Sequence, residues 1–352
     1  MRISLVITMD DGDSQTNTTS YALLPPRPPS LSLLPYAVVI FEHYNFQEYC
    51  RKPASYFSAY HFSQRPPDGT VNPQCVTIVD SGFSFSHVIP YIDNKCVKNA
   101  VKRVNVGGKL LTNYLKEIVS YRQWNMMDEY FLMNHVKEEL CYVSRDFNKE
   151  LTSSHLAAQT QRENLRAKKK NRKEEVKVSD YKGESLQKSY ILPDFQNIMK
   201  GRVKGDEEEL ANNEQVLAME TERFTVPEVL FHPSDVGMQQ AGLVECTHLA
   251  LSEVVNDVDR GLLSQNILLT GGNMSFPQVK ERFETDIRCL IPSHFDSRVH
   301  CPDNPTDYAW QGMDLWVQNC SADKTLSSHM LTRANYEEYG HDYLNERFFR
   351  LW

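Results

Sequence analysis

Two short stretches of this chain carry residue types able to hold a phosphate. The first is Asp80-Ser81-Gly82, directly after the apolar run Cys75-Val76-Thr77-Ile78-Val79. A glycine and a small hydroxyl let backbone N–H groups approach phosphate oxygens, and the aspartate can hold a hydrated magnesium ion. The same three residues make an ordinary hairpin turn, so both roles stay open. The second is Thr270-Gly271-Gly272, between an apolar run and a helical pattern. Paired glycines permit close backbone approach to a ligand at a helix N-terminus. They serve a tight strand-to-helix turn equally well, and the spacing between the two motifs has no meaning as pattern alone.

The elements that must position these motifs read as strands and helices in alternation. Cys75 to Val79 is a short buried strand, and the alternation from Phe83 to Pro90 is a second strand pairing back on it. Leu110, Leu111, Tyr114, Leu115, Ile118 and Val119 fall on one helical face after Val106-Gly107-Gly108-Lys109. A further helix is expected from Asp128 through Leu132, Val136 and Leu140. Asn266 to Thr270 reads as a strand, and Pro277 opens a helix in which Val279, Phe283 and Ile287 share a face. Ala37-Val38-Val39-Ile40-Phe41 reads as another buried strand. Strands interleaved with helices make this an α/β protein.

Bulk properties set the frame. The chain has 352 residues, 41% hydrophobic and 24% charged, which is ordinary for a soluble globular protein with a substantial core. A formal net charge of -8 argues against a surface built throughout to coat nucleic acid. The eight cysteines include no Cys-x-x-Cys pair, which argues against a structural zinc site. Cys75, Cys141 and Cys289 lie in apolar segments and read as reduced, buried thiols. The apolar runs at Ile3 to Met9 and Leu31 to Phe41 are too short for a signal peptide or a membrane span. Residues 1–35, rich in Ser, Thr, Asn and Pro over much of their length, are expected to form a disordered leader. Over 162–188, ten Lys or Arg accompany five acids and hydrophobic periodicity fades, which marks a surface insertion, part helical. It is either a solvated face or a contact for DNA, acidic histone surfaces or an import receptor.

With the residues in view, the chain resembles the actin family. Ile78-Val79-Asp80-Ser81-Gly82, with His87 beyond it, is similar to the second phosphate loop of actins. Leu268-Leu269-Thr270-Gly271-Gly272-Asn273 with Phe276-Pro277 is similar to the adenosine loop. Val136-Lys137-Glu138-Glu139-Leu140-Cys141-Tyr142-Val143 and Tyr308-Ala309-Trp310-Gln311-Gly312 also match, and all four occur in actin order. Arg103 to Asn113, Ser120-Tyr121-Arg122-Gln123, Leu192-Pro193-Asp194-Phe195, Glu222-Arg223-Phe224 with Val226-Pro227-Glu228, and Pro233 to Gly237 resemble the actin-related protein 6 branch. The resemblance covers about residues 36 to 350.

The resemblance implies an actin-like bilobed ATPase fold with a nucleotide in its cleft. Asp80, Ser81 and Gly82 are then expected near the phosphates, with a magnesium ion held by Asp80 through water. Gly108 is expected near the ribose, and Lys137, Glu138, Gly271, Gly272 and Phe276 around the nucleoside. Gln47, in Asn45-Phe46-Gln47, is expected to orient the attacking water. Where actins carry a second acid three residues after the first, this chain has Phe83, and a phenyl ring cannot hold a metal-bound water. Fast hydrolysis is therefore not expected, and no catalytic residue is assigned. The domain reading is a remnant of the first lobe at 36–69, a second lobe at 70–305, and a return to the first lobe at 306–352. On that reading the chain is truncated or alternatively started, its first lobe lacks opening strands, and ATP or ADP with magnesium binds weakly or not at all. The branch implies a structural subunit of a Swr-type chromatin remodelling complex that deposits a variant histone into nucleosomes. Its partners would be the Swr-type ATPase, associated subunits and histones, in the nucleus and also the cytoplasm. The alternatives are a weak ATPase of the actin, sugar-kinase and chaperone fold, or a cytoskeletal actin-like protein.

Overall fold

The computed structural model describes residues 3–8, 19–23, 36–169, 187–194, 199–205, 208, 210 and 214–340. In chain order the strands are β1 Ile3–Thr8, β2 Thr19–Leu23, β3 Glu48–Pro53, β4 Val76–Ser81, β5 Ser86–Ile92, β6 Lys95–Cys96, β7 Lys102–Val104, β8 Lys188–Ile191, β9 Arg202–Val203, β10 Val216–Met219, β11 Ile267–Thr270, β12 Val299–His300 and β13 Leu331–Thr332. The helices are α1 Tyr36–Val38, α2 Ala54–Gln64, α3 Gly108–Arg122, α4 Tyr130–Leu140, α5 Phe147–Lys169, α6 Glu222–Glu228, α7 Leu243–Ser252, α8 Asp257–Gln265, α9 Val279–Leu290, α10 Tyr308–Ala322 and α11 Leu326–His329.

The chain divides into two compact units. The first comprises Met1–Val104, Glu245–Ser275 and Ile287–Trp352, and the second Asn105–Val244 and Phe276–Asp286. The segment 70–305, expected as one lobe, is thus shared between them. The reason lies in β4, which packs against α2 and pairs with β11, so the strands after residue 70 belong with the material before it.

The first unit holds two sheets. In one, the order is β13-β3-β1-β2, antiparallel throughout. The other runs β12-β11-β4-β5-β6, with β7 on β5. Here β11 is parallel to β4 and β12, while β5 is antiparallel to β4. Alternation decides which side chain goes where. Ile78 joins Phe62, Ile89, Tyr91, Leu268 and Tyr308 in one cluster. Thr77 points to the other face, where its hydroxyl donates to the Leu263 carbonyl of α8 (3.2 Å). A parallel strand covered on both faces must be apolar nearly throughout, as Val76 to Val79 and Ile267 to Leu269 are. Against α2, α10 crosses at Gly312, where a Cβ would stand 2.1 Å from the Phe57 carbonyl oxygen.

The second unit packs α3 on α4 and α6. Leu111, Leu115 and Val119 of α3 and Met133, Val136 and Leu140 of α4 are buried at helical spacing. Its sheet runs β10-β8-β9, antiparallel.

Four expectations need correction. Ala37 to Phe41 is helical, not a strand: α1 continues into a wide helical turn over Val39–His43. Its apolar residues are buried beside Tyr49 and Leu331, and a short apolar run carries no period that separates the two states. Within 1–35, expected as a disordered leader, the described residues 3–8 and 19–23 are strands β1 and β2, and the rest of that stretch lies outside the described residues. The first sheet likewise has β1 beside β3, where opening strands were expected to be missing. The run Ile3 to Met9, too short for a signal peptide, is long enough for a strand. Finally, Cys289 is exposed, whereas Cys75 and Cys141 are buried; none of the eight cysteines is in a disulfide. The basic insertion is helical up to Lys169, and residues 170–186 lie outside those described. Among the described residues no helix is long and apolar enough to cross a membrane.

Candidate functional site

Register brings the two turns together. β4 and β11 run parallel with Thr270 beside Asp80, so both strands end at one level. Asn266 sets that register. Its backbone carbonyl accepts from the Thr77 N–H (2.8 Å), and its side-chain amide donates to the carbonyls of Val71 (2.7 Å) and Cys75 (2.8 Å). Gly271 then turns the chain at φ +95, a conformation that glycine adopts without strain. A Cβ there would stand 2.3 Å from the Ser81 carbonyl oxygen and 2.8 Å from Asp80 Oδ1.

Much of the turn pair is committed internally. Ser81 is buried, and its hydroxyl is shared with the Ser86 hydroxyl (2.7 Å) and with the Asn273 amide, which donates at 2.9 Å. Asn273 also donates to the Gly82 carbonyl (2.9 Å). The Gly82 N–H closes the hairpin on the Phe85 carbonyl (3.1 Å), and the Gly271 N–H donates to Pro305 (2.8 Å). The side left open is at Gly272, where an added Cβ would meet only Thr306 Oγ1, at 3.9 Å. Phe83 sits in the hairpin loop, half exposed, and the Arg103 guanidinium covers the ring of Phe85 (3.7 Å).

Directly opposite Asp80 across the antiparallel pair is His87. Burial, helped by the Arg103 charge, pushes its pKa down to about 4. The imidazole is therefore neutral at pH 7, beside a carboxylate.

In the second unit, Gly108 opens α3, whose first-turn N–H groups lack acceptors within the helix. Lys137 is buried, and its ammonium donates to the Gly108 carbonyl (3.3 Å), the Thr112 hydroxyl (2.9 Å) and Asn134 Oδ1 (2.9 Å). All three of its protons are thus engaged, tying α4 to the start of α3. Burial lowers the Lys137 pKa, and Glu138 opposes that. Glu138 accepts from the Asn134 amide (2.8 Å). Phe276 is buried where the chain enters α9, with its carbonyl accepting from the Val279 N–H (3.3 Å).

Sequence reasoning grouped nine residues around one ligand. The first unit brings Asp80, Ser81, Gly82, Gly271 and Gly272 together. The second brings Gly108, Lys137 and Glu138 together, directly or through Asn134. Gln47 precedes β3 in the other sheet of the first unit, where its carbonyl accepts from the Arg333 N–H (2.8 Å). Three residues with large parts in this geometry went unread: Asn266, Asn273 and Thr112. Asn273 stood in the Gly-Gly-Asn string, and a polar side chain beside a glycine turn was the available signal.

The donor set fits a phosphate-bearing group in part. The open side of Gly272 leaves room for one and Asp80 supplies a carboxylate at the same turn, whereas Ser81 Oγ and the Gly82 N–H are engaged within the turn pair. An α/β protein in which a hairpin turn and a Gly-Gly turn meet at one end of a mixed sheet is the class that this arrangement defines.

Comparison with known proteins places the chain within that class. The actin family profile matches residues 35–349, and this chain belongs to the actin family. It is 35% identical over 336 residues to actin-related protein 6 of Arabidopsis thaliana, covering 88% of this chain and 72% of the relative. It is 33% identical over 313 residues to actin-related protein 6 of Drosophila melanogaster, covering 88% and 71%. Actin-related protein 6 of Dictyostelium discoideum is 32% identical over 369 residues, covering 88% and 72%.

Proposed function

We propose that this chain is a nuclear actin-related subunit of a Swr-type remodelling complex that deposits a variant histone into nucleosomes, where it works as a structural part and does not turn over ATP. The observation that carries the non-enzymatic half is Phe83. It stands in the loop after Asp80, where an acid would be needed to share a metal-bound water. Phosphoryl transfer depends on placed charge, and an aromatic ring supplies none. The internal bonds of Ser81 and Gly82 support the same reading, because groups already paired must give up partners to follow a moving phosphate. A bound nucleotide would be held by Asp80, with magnesium through water, and by the open side of Gly272, and would act as a fixed core element. The likeness to actin-related protein 6 chains supports assembly with the Swr-type ATPase, its associated subunits and histones.

The test has two arms. Purified chain with magnesium and ATP is assayed for phosphate release, and tagged chain is co-expressed with the Swr-type ATPase subunit and purified. The expected result is no turnover together with stable co-purification. Turnover that disappears in Asp80→Ala overturns the non-enzymatic reading, and failure to co-purify overturns the assembly.

One observation favours the weak-ATPase reading. A neutral His87 facing Asp80 is a proton acceptor beside a carboxylate, which is a pairing that hydrolases use.

A further inference from the structure

We propose that the tip of the α3–α4 hairpin is a docking surface for a basic amphipathic segment of a partner protein. Between residues 121 and 131 the chain exposes Tyr121 (94%), Trp124 (48%), Met127 (45%) and Phe131 (88%). Aromatic residues and methionine are the types enriched at protein interfaces, and so many on one short turn exceed what a solvated connection needs.

The tip is held firmly. The Met126 N–H donates to the Ser120 hydroxyl (2.8 Å), and Lys116 Nζ donates to the Met127 carbonyl (2.8 Å), so the turn is folded back on α3. Gln123 accepts from the Ala218 N–H (3.0 Å) and donates to its carbonyl, and the Trp124 indole N–H reaches Val216 (3.4 Å). Apolar groups displayed on a fixed frame bind with little ordering cost.

Charge selects the occupant. Glu117, Asp128 and Glu129 are exposed beside these groups, and none makes an ion pair among the described residues. Glu117 lies one helical turn before Tyr121, and Asp128 and Glu129 lie between Met127 and Phe131. Arg122 is paired with Glu222 (2.8 Å) and Glu220 (3.1 Å), and Lys116, held on the Met127 carbonyl, leaves one positive charge against the three carboxylates of Glu117, Asp128 and Glu129. Exposed apolar groups interspersed with carboxylates in excess of local cations complement a segment that carries apolar anchors among Lys and Arg. This surface belongs wholly to the second unit, and the proposal does not depend on the nuclear reading above.

The experiment uses the full chain and three labelled helical peptides, one of lysine and leucine, one of glutamate and leucine, and one of lysine and serine. Fluorescence anisotropy is expected to give binding of the lysine–leucine peptide at least about tenfold tighter than of the other two. Tyr121→Ala with Phe131→Ala is expected to remove that binding at unchanged melting temperature. Glu117→Lys with Asp128→Lys is expected to transfer preference to the glutamate–leucine peptide. No binding of the lysine–leucine peptide, equal binding of all three, or insensitivity to the tip substitutions overturns the proposal. So does a dimer of the chain that dissolves on Tyr121→Ala with Phe131→Ala, because the occupant is then a second copy.

Discussion

Gly271 rests against Ser81 so closely that its missing side chain defines the contact: a Cβ would stand 2.3 Å from the Ser81 carbonyl oxygen. Two motifs far apart in sequence are one packing unit in space. The parallel register of β4 and β11 creates it, because Thr270 beside Asp80 leaves the next residue of each strand nowhere to go but into the other turn. The two neighbouring glycines therefore have different reasons to be glycine. Gly271 is required by backbone conformation and by its neighbour. Gly272 has open space beside it.

That difference makes the first prediction. Gly271→Ala is expected to cost about 2–4 kcal/mol, from the left-handed backbone and the collision together. Gly272→Ala is expected to change stability by less than about 1 kcal/mol. If a nucleotide uses the open side, Gly272→Ala weakens binding of a fluorescent ADP analogue while the melting temperature holds. Thermal melts of the two variants decide the first part, and a Gly271→Ala chain as stable as the parent would show that the turns do not meet.

A second prediction concerns the buried ion network of the second unit. Arg282 donates to both oxygens of Glu228 (2.9 and 3.1 Å), to the Ser144 carbonyl (2.8 Å) and to Asp286 (2.6 Å). Glu228 is fully buried and also bonds His232 Nδ1 (2.7 Å). Removing one partner strands a buried charge. Glu228→Leu alone is expected to cost about 3–5 kcal/mol, and Glu228→Leu with Arg282→Met much less than the sum of the two single changes. Urea titrations of the two singles and the double measure the coupling, and additive losses would mean that the pair is not a unit.

The third prediction follows from His87. Its folded pKa of about 4 lies below the ordinary histidine value of 6.5, so between those values the unfolded chain binds the proton and the native chain does not. The contribution is fully present above pH 6.5 and is lost as pH falls through about 4. Because the ring is partly open to solvent, the loss is expected on the order of 1–2 kcal/mol. Stability measured from pH 7 to pH 4 should fall less steeply in His87→Asn than in the parent. Parallel profiles would show that His87 titrates normally.

Legibility in the sequence followed the kind of signal. The strand–turn–strand around Asp80 and the strand–turn around Gly271 were readable, because apolar β-branched runs ending in glycine have few other uses. Their union was not legible as pattern and came only from the resemblance, which groups both turns around one nucleotide; the register that achieves it depends on the Asn266 amide and on pairing between distant segments. The helical state of Ala37 to Phe41 was hidden because five apolar residues show no period. The run that forms β1 was visible but weighed only as a targeting segment, while β2 lies in a stretch rich in Ser and Thr that carries little apolar signal. Lys137 was found by resemblance. Its engagement of Gly108, Thr112 and Asn134 was beyond the reach of either pattern or resemblance, being a matter of where α4 lands on α3.

Lys52 gives the last prediction. It is buried in β3 with its ammonium over the ring of Tyr56 (4.1 Å) and near that of Trp316 (5.8 Å), beside the thiols of Cys50 and Cys320. It makes no ion pair with a carboxylate among the described residues. Burial lowers its pKa below 10.5, so desolvation outweighs what its surroundings return. The two rings give back roughly 0.5–2 kcal/mol of cation–π attraction. Methionine has nearly the same length and reach, carries no charge, and suits aromatic neighbours. Lys52→Met is therefore expected to stabilise the chain by about 1 kcal/mol at pH 7. The gain should shrink as pH rises from the lowered folded value toward 10.5, where native Lys52 is neutral and the unfolded chain still holds its proton. A higher urea midpoint at unchanged slope is the expected reading. A lower midpoint would mean that the aromatic faces more than offset the burial of the charge.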